Sequence, residues 1–333
     1  MASRRQDAAD YGDAVTLPDG RSLAYAEYGD PDGFPVFYCH GTPGSRISGS
    51  IARDRKADAG ARVVAPDRPG FGRSDPDPER TLSDWADDVA ALADSLGIAK
   101  YGVVGFSGGG PYALACAAHR PVRVTRCTVV SGVAPRGVAD AGLSRFDRTL
   151  KAAARLSPHL GRPFVWAMRR VIGDADSFSD VVGDPKDGDL ADPRLGETGR
   201  IMLSDFREGV RQGSRAVATD YAVLGSEWDF DLADVSVPTR VFHGSDDDRV
   251  PLAAGKHLAR KVPDARLTVI DGADHFRPII EHVHDIYGWV VGDETGAWPR
   301  RRRRSRNDRI TEDEASSEGA RDQDSGKVTT VDD

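Results

Sequence analysis

Along residues 22–132 short apolar runs alternate with a longer amphipathic pattern. SLAYAEYG (22–29), PVFYCHG (35–41), ARVVAPD (61–67), YGVVGFS (101–107) and VTRCTVVSG (124–132) have strand length, and each ends at glycine, aspartate or serine. The first two are joined by the turn DPDG. Apolar runs of this kind suit strands buried on both faces, as in a parallel sheet covered by helices. The clearest helix is TLSDWADDVAALADSLG (81–97), where Leu82, Trp85, Val89, Leu92 and Leu96 fall on one stripe. Thr81 and Asp84 have capping-box spacing, and Gly97 ends the segment. Strand–helix alternation argues for an open α/β sheet.

The rhythm changes after VVSGVAP (129–135). SRFDRTLKAAARL (144–156), RPFVWAMRRVI (162–172), TGRIMLSDFREGVRQG (198–213) and RAVATDYAVLG (215–225) read as helices, with no convincing strand among them. Strands resume with TRVFHG (239–244) and RLTVIDG (266–272), and a last helix contains IIEHVHDIYGWVV (279–291). The pattern divides the chain into a core (15–135 and 236–292), a helical insertion (136–235) and two tails (1–14 and 293–333) with the polar composition of disorder. The run Arg300–Arg304 could touch nucleic acid, but the acidic stretch after it favours a solvated, self-neutralised tail.

With 333 residues, 39% apolar, the chain can build a sizeable core. A formal charge of −8 gives no electrostatic case for a nucleic-acid partner. The N-terminus has no apolar secretion signal, and no apolar run approaches the length of a membrane helix. The expectation is a cytoplasmic protein off the membrane, a monomer or homodimer. Cys39, Cys116 and Cys127 match no metal spacing and read as buried, reduced thiols; no metal or cofactor is expected.

Candidate chemistry centres on GVVGFSGGGPYALA (102–115), where an apolar strand meets a glycine cluster and then a helix. Such a turn can cradle phosphate or present a nucleophile. No lysine follows the glycines, as a Walker loop requires, and the dinucleotide spacing Gly-x-Gly-x-x-Gly is absent. Gly-x-Ser-x-Gly fits at 105–109. A serine on so tight a turn needs small residues two before and two after it, which Gly105 and Gly109 supply. Ser107 then needs a base and an orienting acid, in the chain order Ser, acid, His. Downstream, HGSDDDRVP (243–251) and GADHF (272–276) each follow a strand.

Together with HGTPGS (40–45) and VVAPDRPGFGRSD (63–75), these motifs resemble the α/β-hydrolase superfamily, in its capped, serine-nucleophile branch. The resemblance spans Leu17 to Val291. It implies a mostly parallel eight-stranded sheet flanked by helices, with a helical cap inserted after strand 6. Ser107 matches the nucleophile and His275 the base. Asp247 matches the acid, three after Gly244 and four before Pro251, while Asp246 and Asp248 read as solvated turn carboxylates. The backbone N–H groups of Thr42 and Gly108 match the oxyanion hole, with His40, Gly41 and Pro43 shaping its loop. One departure is Asp274, where a small residue often precedes the histidine; its carboxylate could compete with Asp247 as orienter. His282, His284, His257, His119 and His159 lie in or near helices and read as surface or packing residues, and His40 and His243 as structural hydrogen-bonders.

A serine nucleophile argues against the dehalogenase and epoxide hydrolase relatives, which use aspartate. The resemblance implies a serine esterase-like hydrolase acting on a small, largely apolar ester, lactone or related acyl compound through an acyl-enzyme. Carbon–carbon bond hydrolases share the same triad, and haloperoxidase or perhydrolase activity is a side reaction of such sites. The fold also hosts binding proteins without turnover. Phe164, Trp166, Met168, Met202, Phe206, Tyr221 and Trp228 either line a pocket or pack the cap itself.

Overall fold

The computed structural model describes residues 12–52, 59–138, 193–292, 310–311 and 328–331. Eight strands form the expected sheet: β1 (Asp13–Thr16), β2 (Ser22–Gly29), β3 (Phe34–Cys39), β4 (Ala61–Pro66), β5 (Tyr101–Phe106), β6 (Val124–Val130), β7 (Thr239–Gly244) and β8 (Ala265–Ile270). Their order is β1-β2-β4-β3-β5-β6-β7-β8. Strands β3 to β8 are mutually parallel, and β2 alone among the eight runs against the rest. The predicted α1 spans Leu82–Ser95 with the Thr81–Asp84 capping box formed, and Gly97 takes φ 68° just beyond it. The other helices among the described residues are α2 (Gly110–His119), α3 (Pro193–Gly209), α4 (Arg215–Gly225), α5 (Leu252–Lys261), α6 (Arg277–Glu281) and α7 (Val283–Val291).

Alternation along the central strands explains the two-sided core. Phe37, Cys39, Tyr101 and Val103 face a cluster with Trp85, Val89 and Leu92 of α1, Tyr112 of α2 and Leu258 of α5. Their neighbours Val36, Tyr38, Val104 and Phe106 face Ile286, Tyr287 and Val290 of α7. Period-two side chains thus demand helices on both faces. Cys39, Cys116 and Cys127 are free and buried.

Three features depart from the expectations. The short β1 carries no alternation to announce it and pairs antiparallel with β2. Within the tail expected to be disordered, β9 (Ile310–Thr311) and β10 (Val328–Val331) are strands; β10, rich in β-branched residues, pairs antiparallel with the edge of β8. The last helix breaks at His282, which has φ −109° and ψ 17°. Between β6 and β7 the described residues hold α3 and α4 and no strand. The patterns at 144–156 and 162–172, with His159, Phe164, Trp166 and Met168, lie outside the described residues, as does Arg300–Arg304. Met202, Leu203 and Phe206 of α3 pack against the α7 side, whereas Trp228 joins the α1 side and stacks on Phe230.

Candidate active site

Strand β5 lies between β3 and β6, and Ser107 follows its last residue. Ser107 has φ 54°, a left-handed conformation that non-glycine residues rarely hold. A Cβ on Gly105 would overlap the Gly109 carbonyl oxygen, and one on Gly109 would overlap that of Cys39. Both glycines are therefore sterically required by the turn. The chain then enters α2 with Pro111 in its first turn.

His275 follows β8, and Asp247 lies in the turn after β7. His275 Nε2 is 2.9 Å from Ser107 Oγ, and Nδ1 is 2.8 Å from Asp247 Oδ2. An ionised carboxylate only accepts, so Nδ1 carries the proton and a neutral ring presents Nε2 as acceptor to the serine hydroxyl. Asp247 Oδ1 accepts from the backbone N–H groups of Arg249 (3.0 Å) and Val250 (2.8 Å). Burial pushes the Asp247 carboxyl up, but His275 and the Val250 amide outweigh it and hold the group below the usual range. Asp247 is buried whereas Asp246 and Asp248 are exposed. Asp274 does not compete for the ring: its Oδ1 accepts from the N–H groups of Phe276 and Arg277, both at 2.9 Å, where α6 begins. His243 supports the acid turn by donating from Nε2 to the Val250 carbonyl at 2.7 Å; burial holds its imidazole below the usual range.

The loop after β3 approaches from the other side. A Cβ at Gly41 would stand 3.6 Å from the Ser107 Cβ, and one at Gly108 would stand 3.0 Å from the Thr42 Cβ. Thr42 and Gly108 are thus adjacent, beside Ser107. The Thr42–Pro43 peptide is cis. His40 Nε2 accepts from Arg68 N–H at 3.0 Å, so Nδ1 bears the hydrogen and donates to the Gly41 carbonyl at 2.8 Å. Burial and the nearby Arg68 charge keep this ring neutral.

Beneath the loop lies an ion cluster. Arg68 Nη1 donates to the His40 carbonyl. Its Nη2 donates to the Gly41 carbonyl (3.1 Å), Thr42 Oγ1 (2.8 Å) and Asp220 Oδ2 (2.6 Å). Thr42 Oγ1 in turn donates to Asp220 Oδ2 at 2.5 Å. Asp220 Oδ1 accepts from Arg80 Nη2 (2.9 Å) and the Tyr112 hydroxyl (2.5 Å). Arg68 and Asp220 are fully buried and Arg80 nearly so. Burial raises the Asp220 carboxyl, but the two guanidiniums overcome it and drive the group far below the carboxylate range. Further along the loop, Asp205 of α3 accepts from Ser45 N–H and Oγ (both 2.7 Å) and Ser48 N–H (3.1 Å). Glu208 of α3 meets Arg46 at 2.8 Å.

Residues 107, 275 and 247 lie within hydrogen-bond distance of one another in that order, with 41, 42, 105, 108 and 109 around them. The sequence reading missed Asp220, Arg80 and the part played by Arg68. A signal existed in α4: Ala216, Asp220 and Leu224 are spaced by four and all buried, so a carboxylate sits on the apolar stripe and requires a cationic partner. Among the described residues no group of three or more His, Cys, Asp or Glu could hold a metal, and no helix is long and apolar enough to cross a membrane.

Comparison with known proteins identifies the family of the chain as a whole. The profile of the alpha/beta hydrolase fold matches residues 35–281. The chain is 32% identical to a non-heme chloroperoxidase of Streptomyces lividans, over 78% of this chain and 92% of that protein. It is 30% identical to a bifunctional esterase/perhydrolase of Acinetobacter calcoaceticus (80% and 94% covered). It is 29% identical to a 2-hydroxymuconate semialdehyde hydrolase of Pseudomonas putida (75% and 83% covered). Sheet order, strand-end loops and these matches carry one conclusion: the chain belongs to the α/β hydrolase family.

Proposed function

We propose that this hydrolase cleaves a small, largely apolar ester, lactone or related acyl compound through an acyl-enzyme on Ser107. The observation that carries the reading is the placement of His275 between Ser107 (2.9 Å) and Asp247 (2.8 Å). In this mechanism His275 Nε2 takes the Ser107 proton as Oγ attacks the carbonyl carbon. The N–H groups of Thr42 and Gly108 receive the oxyanion. Asp247 stays ionised, holds the ring and balances the imidazolium. His275 then protonates the leaving group, and water, activated by the same ring, hydrolyses the acyl-enzyme. No metal or cofactor enters the scheme. The substrate is a small molecule met in solution.

A fluorophosphonate probe tests the nucleophile: the native protein forms an adduct at Ser107, and a folded protein without one is a ligand-binding relative instead. A p-nitrophenyl ester chain-length series beside lactones then ranks substrates. Cleavage of a carbon–carbon bond with the same three residues is the second reading, favoured by the semialdehyde hydrolase relative. A vinylogous diketone turned over faster than every ester would establish it in place of ester cleavage.

A further inference from the structure

We propose that Asp220, carried by α4 of the insertion, is a positioning residue for the oxyanion loop and acts on it through Arg68 and Thr42. The proposal deepens the acyl-transfer reading and rests on it.

The argument starts from the Gly41–Thr42 peptide. It is planar and trans, so its carbonyl and its N–H point in opposite directions. The Gly41 carbonyl accepts from His40 Nδ1 at 2.8 Å and from Arg68 Nη2 at 3.1 Å. Both donors are buried, so the carbonyl is fixed toward the interior. The Thr42 N–H is thereby fixed the other way. Arg68 also holds the preceding carbonyl, that of His40. Two successive peptide planes of the loop thus hang on one guanidinium. Donors on a carbonyl also polarise the amide and strengthen its N–H as a donor.

What fixes Arg68 is Asp220. Its Oδ2 takes Arg68 Nη2 at 2.6 Å and the Thr42 hydroxyl at 2.5 Å, while Thr42 Oγ1 accepts from the same Nη2 at 2.8 Å. This closes a three-membered ring of hydrogen bonds around residue 42. Its Oδ1 is taken by Arg80 and Tyr112, which pins the carboxylate from behind. Without the carboxylate, two buried guanidiniums face one another unbalanced. With it, two fixed positive charges stand against one negative. Guanidiniums do not release protons, so it is the Asp220 carboxylate that holds Arg68 and Arg80 side by side and keeps Arg68 in register with the loop.

The test uses Asp220→Asn, which keeps size and loses charge, and Thr42→Val, which cuts the hydroxyl link and leaves the ion pair. For each, kcat and KM on p-nitrophenyl acetate are measured, with the inhibition constant of an aryl trifluoromethyl ketone, whose adduct with Ser107 bears an oxyanion. Asp220→Asn is expected to lower kcat by about 10- to 100-fold, below or near the effect of losing one oxyanion donor outright. KM changes little, and ketone affinity falls by the same factor as kcat/KM. Thr42→Val shifts the same quantities in the same direction by about tenfold. A purely structural tie between α4 and the core would lower the unfolding temperature and leave the ketone affinity unchanged. Native kcat and ketone affinity in folded Asp220→Asn overturn the proposal. So do native values in Thr42→Val if Asp220→Asn does not fold. These results overturn the positioning role alone when the native protein still labels with fluorophosphonate; a native protein that does not label removes the acyl-transfer reading and this proposal with it.

Discussion

Two buried carboxylates sit on opposite sides of Ser107 and are held in different ways. Asp247 is served by amides of its own turn, Arg249 and Val250, and by the imidazole of His275, with His243 Nε2 3.4 Å from its Oδ2. Asp220 is served by Thr42, Arg68, Arg80 and Tyr112, from four separate parts of the chain. The imidazole of His275 takes up the Ser107 proton in the proposed reaction, whereas the guanidiniums beside Asp220 keep their charge throughout. One side of the site is therefore built to change charge and the other to keep it constant. A third carboxylate, Asp205, is also buried; among the described residues its hydrogen-bond donors are the neutral groups of Ser45 and Ser48, and burial pushes it up to about 7. Burial alone does not set the charge state; the donors and charges that face each carboxylate decide how far the effect of burial is offset.

The comparison can be broken at the mobile-charge side first. Ser107→Ala should lower kcat on an aryl ester by roughly 10⁶-fold, the scale seen when a triad nucleophile is removed. A variant within tenfold of native in a steady-state assay would remove Ser107 from the chemistry. Asp247→Asn should cost about 10⁴-fold, because the amide favours the wrong tautomer of His275 while preserving the shape. If Asp274 were the true orienter, Asp274→Asn would show that loss and Asp247→Asn would not.

The Asp205 side sharpens the point through pH. Its folded value of about 7 lies above the ordinary carboxylate value, so the native state binds the proton more tightly than the unfolded chain. Its contribution to stability is complete below about pH 4 and is lost as pH rises to about 7. Asp247, held below the ordinary range, acts with the opposite sign: its contribution is present above the ordinary value and is lost on acidification through its folded value. Unfolding temperatures between pH 4 and 7 should therefore fall less steeply for Asp205→Asn than for the native chain. Equal slopes would show that Asp205 ionises normally. The smallest effect provides the calibration. Thr81→Ala removes the capping box of α1 and should cost about 1 kcal/mol in denaturant unfolding while leaving ester kinetics unchanged. Altered kinetics would mean that stability loss alone reaches the site.

Legibility in the sequence follows the same division. Ser107, Gly105 and Gly109 were readable because one tight turn imposes local steric demands on neighbouring residues. Asp247 and His275 were readable because each lies in a short loop after a recognisable strand. Residues 68 and 220 are 152 positions apart, and no local constraint links them. Only the docking of α4 against the loop after β3 makes them partners. The α1 stripe was legible down to its cap, whereas β1 and β10 were not, since a four-residue strand is specified by the edge it pairs with rather than by its own pattern.

The placement of Asp220 bears on how such proteins can be recombined. Loops between strands and inserted helices are natural points for exchanging segments between relatives, on the assumption that the sheet and its reactive turns stay intact. Here α4 carries the counter-charge for two arginines that belong to the sheet side. A chimera that imports a foreign insertion without an acid at this position would inherit two stranded cations under its reactive loop. The boundary for transplantation therefore does not coincide with the ends of β6 and β7: Arg68, Arg80 and Asp220 have to travel as one unit.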